Sequence, residues 1–199
     1  MNNETLLTVI EVSHSSRYAE IKENMDILHG IIYSAFYPHK DEKKLYQCDA
    51  EQKEIRVLSN KAPSKSHLVG EFDISFDDIH IYDYSTRLNN MTEKKVCDFM
   101  LIGNPVYKQD GRRLPIKDKE GCVKWLFDKS KNLGFIIKDI DTSYIAPYIG
   151  KNNIRLNTVQ FNGVLEITDS TLFKNTILTG IGHEKGFGFG LLWVENKTH

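Results

Sequence analysis

The sequence predicts an α+β fold whose more legible half runs β-α-β-β-α-β, and three observations carry that prediction. Apolar and polar residues alternate over residues 95–102 and around 154–167, the period of half-buried strands, and residues 189–194 form a short apolar run of strand length. Between them, residues 121–132 and the stretch after Asp169 carry their apolar side chains at helical spacing. Gly134 and the pair Asn162-Gly163 stand where a helix stops and where a strand turns or bulges.

Taken in order, residues 6–12 read as a strand and residues 18–36 as a helix that ends before Pro38. Residues 37–53 look like a surface excursion. Residues 54–58 and 68–74 read as two more strands, and residues 76–90 show no clear period, so no second helix is assigned there. In the second half the strand at 95–102 is expected to continue past Pro105, and residues 108–119 form a basic surface excursion turning at Asp110-Gly111. A helix with Val123, Leu126 and Phe127 on one face follows, then a short strand over 135–140. Ile154 and Leu156 alternate, the phase slips by one to Val159 and Phe161, and the pattern resumes at Leu165 and Ile167. That reads as two strands, or one bent strand, around Asn162-Gly163. Thr168-Asp169 then caps a helix through Leu172, Phe173 and Ile177, and a final strand closes a ferredoxin-like (RRM-like) unit.

At 199 residues the chain has room for one large core or two of roughly 100 residues. The composition, 40% hydrophobic and 27% charged, is that of a soluble globular protein. No apolar run approaches the roughly 20 residues a bilayer demands. The start Met1-Asn2-Asn3-Glu4 has no secretory pattern, so a cytoplasmic location is expected. Cys48, Cys97 and Cys122 are far apart and suit reduced thiols better than a disulfide or zinc framework. The net charge of −1 argues against a generic nucleic-acid binder, but it is unevenly spread: residues 1–103 hold 12 Lys and Arg against 17 Asp and Glu, residues 104–199 hold 14 against 10. Local positive potential, not total charge, sets affinity for a phosphate backbone.

The basic half carries a run with five glycines in eleven residues, Gly180, Gly182, Gly186, Gly188 and Gly190, with His183 and Lys185 among them. Glycines this dense let consecutive backbone N–H groups approach phosphate oxygens. The run follows a helix and precedes a strand, the setting of neither a dinucleotide fingerprint nor a Walker loop, which disfavours a nucleotide cofactor. The run reads as a phosphate-backbone grip, with a strand-entry turn whose glycines only permit close packing as the plainer alternative.

Three ordered blocks carry a family resemblance. Phe161-Asn162-Gly163-Val164-Leu165-Glu166-Ile167-Thr168-Asp169 followed by a helix and the glycine run is similar to the C-terminal signature of the CasE family, the endoribonucleases of type I-E CRISPR systems. Leu28-His29-Gly30-Ile31-Ile32-Tyr33-Ser34-Ala35-Phe36 resembles the family's N-terminal helix, and Asn104-Pro105-Val106-Tyr107-Lys108 with Arg112-Arg113-Leu114-Pro115 its central segment. The resemblance implies two ferredoxin-like domains in tandem, residues 1–93 and 94–199. It implies binding of the CRISPR repeat RNA hairpin and cleavage at the 3′ base of its stem, without metal or cofactor. The ribose 2′-OH would attack the adjacent phosphate, leaving a 2′,3′-cyclic phosphate. Retention of the mature CRISPR RNA and assembly with other subunits of a type I-E effector complex are also implied. The competing reading is an RRM-like subunit that holds guide RNA without cutting it.

Site residues follow on the same footing. Ile21, Met25, Leu28, Ile32 and Phe36 make one apolar stripe, and His29 lies at its margin, where an imidazole can face outward while the helix stays packed. Most such histidines are structural; the resemblance makes His29 the catalytic residue, and an imidazole suits proton transfer at neutral pH. Base and acid roles both remain open. Where relatives have a tyrosine three residues earlier, this chain has Asp26, whose carboxylate would orient the imidazole and favour its protonated form. Tyr33, one turn later, would supply the missing hydroxyl. Solvation of Asp26 and core packing of Tyr33 are the plainer alternatives. Lys108, Arg112, Arg113, Lys185, His183 and the five glycines are the expected RNA contacts. His14, His39, His67, His80 and His199 receive no role, and Trp125 and Trp193 are expected in the core.

Overall fold

The structure, a computed structural model, describes residues 4–38, 43–144, 148–149 and 155–197. His39, Ile154 and His199 lie outside the described residues. The chain divides into two compact units, Met1–Arg87 with Gly186–Gly188, and Leu88–Lys185 with Phe189–His199.

In the first unit the order is β1 (Leu6–Glu11), α1 (Tyr18–Glu23), α2 (Met25–Ser34), β2 (Lys44–Asp49), β3 (Glu54–Ser59), α3 (Lys65–Phe72) and β4 (Ile79–Asp83). A short helix α4 (Ser85–Asn89) leads into the second unit. The sheet order is β2-β3-β1-β4, antiparallel throughout, so the unit's fourth, first, third and second strands lie side by side as in a ferredoxin-like fold. One apolar cluster fills the space between sheet and helices: Ile21, Leu28, Ile32 and Phe36 from the expected stripe meet Ile10, Tyr46, Ile55, Val57 and Phe72. Each such side chain removed from water contributes about 1.5–3 kcal/mol.

Three expectations for this unit are corrected. The helix over 18–36 is broken at Asn24, whose extended backbone (φ −126°, ψ 89°) ends α1. Its side chain then accepts from the N–H groups of Asp26 and Ile27 as the cap of α2. Residues 68–74 belong to a helix, not a strand: Ser64 caps α3, Leu68 and Phe72 bury at i and i+4, and Asp73 ends it at φ 53°. The supposed excursion over 37–53 contains β2, a strand buried on both faces. Residues 76–90, left without assignment, hold a 3-10 turn capped by Ser75, then β4 and α4.

The second unit runs β5 (Val96–Gly103), β6 (Val106–Gln109), β7 (Arg112–Pro115), α5 (Lys119–Ser130), β8 (Phe135–Tyr144), β9 (Tyr148–Ile149), β10 (Arg155–Leu156), β11 (Val159–Ile167), α6 (Ser170–Thr179) and β12 (Leu192–Asn196). Its main sheet, β12-β5-β11-β8, repeats the strand order of the first. The hairpins β6-β7 and β9-β10 are insertions in that frame. Asp118 and Asp169 cap α5 and α6, and Gly134 follows α5 at φ +79°.

β5 stops at Gly103 instead of continuing past Pro105, which has no N–H to offer a ladder. The buried Asn104 instead accepts from the N–H of Asn157 at 3.2 Å. Asn162-Gly163 is neither a turn nor a break between strands. Val159, Phe161, Leu165 and Ile167 keep one period, so β11 is continuous, and the register shift against β8 falls between Val164 and Leu165. A side chain at Gly163 would collide with the backbone of Asp139 and Ile140, which is why glycine stands there.

Candidate active site and nucleic-acid interface

His29 follows the buried Leu28 on α2 and is itself half-buried, so the helix packs by one neighbour and offers the other. Its Nδ1 is hydrogen-bonded to the carbonyl oxygen of Gly186. A carbonyl only accepts, so Nδ1 carries the proton and Nε2 is left as the atom that gains or loses one. The Tyr33 ring lies 4.1 Å from the imidazole, centroid to centroid, and the Phe187 ring 5.8 Å away. Burial pushes the Tyr33 phenol above its ordinary pKa, further from ionising at neutral pH.

Asp26 occupies the first turn of α2, where a carboxylate favours the positive end of the helix. Since Gly186 O already holds Nδ1, orienting the imidazole does not require Asp26. Strand β2, missed in the sequence, brings two residues to this site. Tyr46 donates to the same Gly186 oxygen at 2.7 Å. Lys44, two residues earlier on the same face, sets its ammonium 4.9 Å from the Tyr33 ring centre and 5.0 Å from that of Phe36. No period marked them, because every residue of β2 but Cys48 is buried, on both faces of the strand.

In the second unit, β6 and β7 turn through Asp110 and Gly111, both at positive φ (49° and 75°), as a two-residue type I′ hairpin turn requires. Lys108 lies directly opposite Arg113, and Gln109 opposite Arg112, with all four exposed. His183, in the glycine run, has its imidazole pKa lowered, first by partial desolvation and then by the cations Arg113 and Lys129. The hairpin, the last turn of α5 and the glycine run thus bring positive charge together. Lys129 was not anticipated; its ammonium lies 5.2 Å from the centre of the Trp125 ring.

The run itself is less open to phosphate than its composition suggests. The N–H groups of Gly180, Ile181 and Gly190 bond to Thr176, Gly190 and Ile102 carbonyls, and Lys185 Nζ donates to Thr179 O at 2.5 Å at the end of α6. Gly182 packs against Trp125, whose ring stacks on Phe161. Trp125 and Trp193 are buried, and the three cysteines are free thiols, as expected. Among the described residues no helix is long and apolar enough to cross a membrane.

Comparison with known proteins agrees with this architecture. The chain is similar to Thermus thermophilus Cse3 bound to an RNA representing a pre-cleavage complex (TM-score 0.82, 19% identity, covering 96% of this chain and 99% of that one). It is similar to another structure of CRISPR endoribonuclease Cse3, bound to 19 nt RNA (TM-score 0.80, 18% identity, 98% and 100% covered). A chain of E. coli Cascade bound to a PAM-containing dsDNA target also matches (TM-score 0.52, 18% identity, 94% and 96% covered). No curated protein sequence matches. The two ferredoxin-like sheets and these relatives bear out the resemblance drawn from the three sequence blocks. The family model described as CRISPR associated protein matches residues 6–196, and the chain belongs to that family.

Proposed function

We propose that this chain is a metal-independent endoribonuclease that binds the hairpin of CRISPR repeat RNA and cuts precursor RNA at the 3′ base of the stem. The observation that carries the reading is the His29 imidazole, held at Nδ1 by Gly186 O with Nε2 as its exchangeable position. In the reaction the 2′-oxygen forms a bond to phosphorus as the bond to the 5′-oxygen breaks. The 2′-OH loses a proton, and the 5′-oxygen gains one. Nε2 performs one of these transfers, and the Tyr33 hydroxyl, protonated at neutral pH, donates toward the phosphate. Asp26 adds negative charge one turn before His29. Lys108, Arg112, Arg113, His183 and Lys185 hold backbone phosphates, with Gly182 and Gly186 permitting close approach.

The relatives support the rest. Cse3 is known in complex with RNA and a similar chain is part of Cascade, so the partners of this chain are repeat RNA, its mature product and the other subunits of a type I-E effector complex. The test is single-turnover cleavage of cognate repeat RNA in EDTA. Wild type cuts and leaves a 2′,3′-cyclic end; a 2′-deoxy residue before the scissile phosphate blocks cutting. His29→Ala binds the hairpin normally but cleaves on the order of 100-fold more slowly. Equal cleavage by His29→Ala, or loss of wild-type cleavage in EDTA, would overturn the proposal.

A further inference from the structure

A single oxygen, the Gly186 carbonyl, is engaged by two donors, His29 Nδ1–H and the Tyr46 hydroxyl. Both lone pairs are therefore used, and the peptide is held from two sides. Tyr46 has no exposed surface and belongs to the apolar cluster of the first unit, so its hydroxyl is delivered from a rigid strand. Its ring also meets the same segment two residues on, where a Cβ at Gly188 would stand 2.9 Å from Tyr46 Cε2. Tyr46 thus touches the segment twice, by its hydroxyl at Gly186 and by its ring at Gly188.

The tautomer gives that arrangement a chemical consequence. A neutral imidazole in water carries its proton mostly on Nε2, where it has no lone pair to accept another. The opposite tautomer persists only where an acceptor is fixed beside Nδ1. We propose that Tyr46 is a positioning residue for His29: by fixing the Gly186 carbonyl it keeps the imidazole proton on Nδ1 and presents Nε2 to the RNA. The chemical consequence rests on the reading of His29 as the proton-transfer group. The tautomer does not, and it is measured separately.

Tyr46→Phe keeps the ring, its volume and its contact at Gly188, and removes only the hydroxyl. In the RNA-free protein, the 15N shifts of His29 are expected to report Nδ1–H for the neutral wild-type ring and to move toward the Nε2–H form in Tyr46→Phe. Single-turnover cleavage at saturating protein is expected to fall on the order of tenfold, the scale of one lost hydrogen bond, with hairpin affinity unchanged. In a His29→Ala background, Tyr46→Phe should cause no further loss, because a residue acting through His29 has nothing left to act on. A wild-type ring already in the Nε2–H form, or identical tautomers in wild type and a folded Tyr46→Phe, overturns the proposal. So does an undiminished loss in the His29→Ala background. Full cleavage by His29→Ala itself would instead end the catalytic reading of His29, with the tautomer still decided by the spectra.

Discussion

Gly186 and Gly188, two residues apart, answer to different constraints. Gly188 has φ +80°, and a Cβ there would come within 3.0 Å of both Tyr46 and Met25. Gly186 is not in the left-handed region, and its Cβ would meet His29 Cε1 at 3.4 Å, ordinary van der Waals contact. Gly188→Ala is expected to lower stability by about 2 kcal/mol, from the left-handed backbone alone and before any clash. Gly186→Ala should stay within about 0.5 kcal/mol of wild type. Urea unfolding of the two variants decides it, and a Gly188→Ala protein as stable as wild type would contradict the packing argument. A glycine-rich run therefore reads as a ligand grip in sequence when some of its glycines answer to the fold. Gly188 and Gly190 are such cases, since a side chain at Gly190 would strike the Ile181 backbone.

Among the elements, the β6-β7 hairpin carries the clearest electrostatic signature. Lys108 and Arg113 face each other across it, and like charges directly opposite destabilise a strand pair. A phosphate between them would relieve that repulsion. Arg113 also shares its surroundings with His183, whereas Arg112 pairs with the neutral Gln109 on the other face. Arg113→Ala and Lys108→Ala are each expected to weaken RNA binding and reduce the slope of log Kd against log salt by about one. Arg112→Ala should do less. Wild-type slopes in the first two variants would mean that the hairpin does not meet phosphates.

How legible each element was depends on whether one face meets water. α5, α6, β5 and β11 were readable because burial alternates along them. β2 was not, because Leu45, Gln47 and Asp49 are buried on one face and Lys44 and Tyr46 on the other, which erases the polar-apolar period. α3 hid behind its brevity and Gly70, although Ser64 gave its start. The site shared this pattern. His29 was found through a motif on a legible helix, while Tyr46 and Lys44 were lost with their strand.

At the scale of the molecule, the residues proposed to grip phosphate and those proposed to move protons belong to different units. Lys108, Arg113, Lys129 and His183 lie in the second, and His29, Tyr33 and the Gly186 carbonyl in the first. Affinity in the proposed enzyme comes from phosphates along a stem, through counterion release, whereas cleavage alters one phosphodiester at the stem's base. Breaking that bond removes none of the stem phosphates and leaves the cyclic phosphate with one negative charge, as the diester had. The cut stem is therefore expected to bind within about threefold of an uncut 2′-deoxy analogue at the same salt, because the contacts that drive binding are common to both. With product held as tightly as substrate, release limits turnover: a burst of one cleavage per protein should precede a far slower steady rate. Titrating wild type with product and with deoxy analogue tests this directly. A product bound more than about tenfold more weakly would show that much of the grip lies at the scissile phosphate and that binding and chemistry share residues, whereas steady turnover without a burst would show that release is not the slow step.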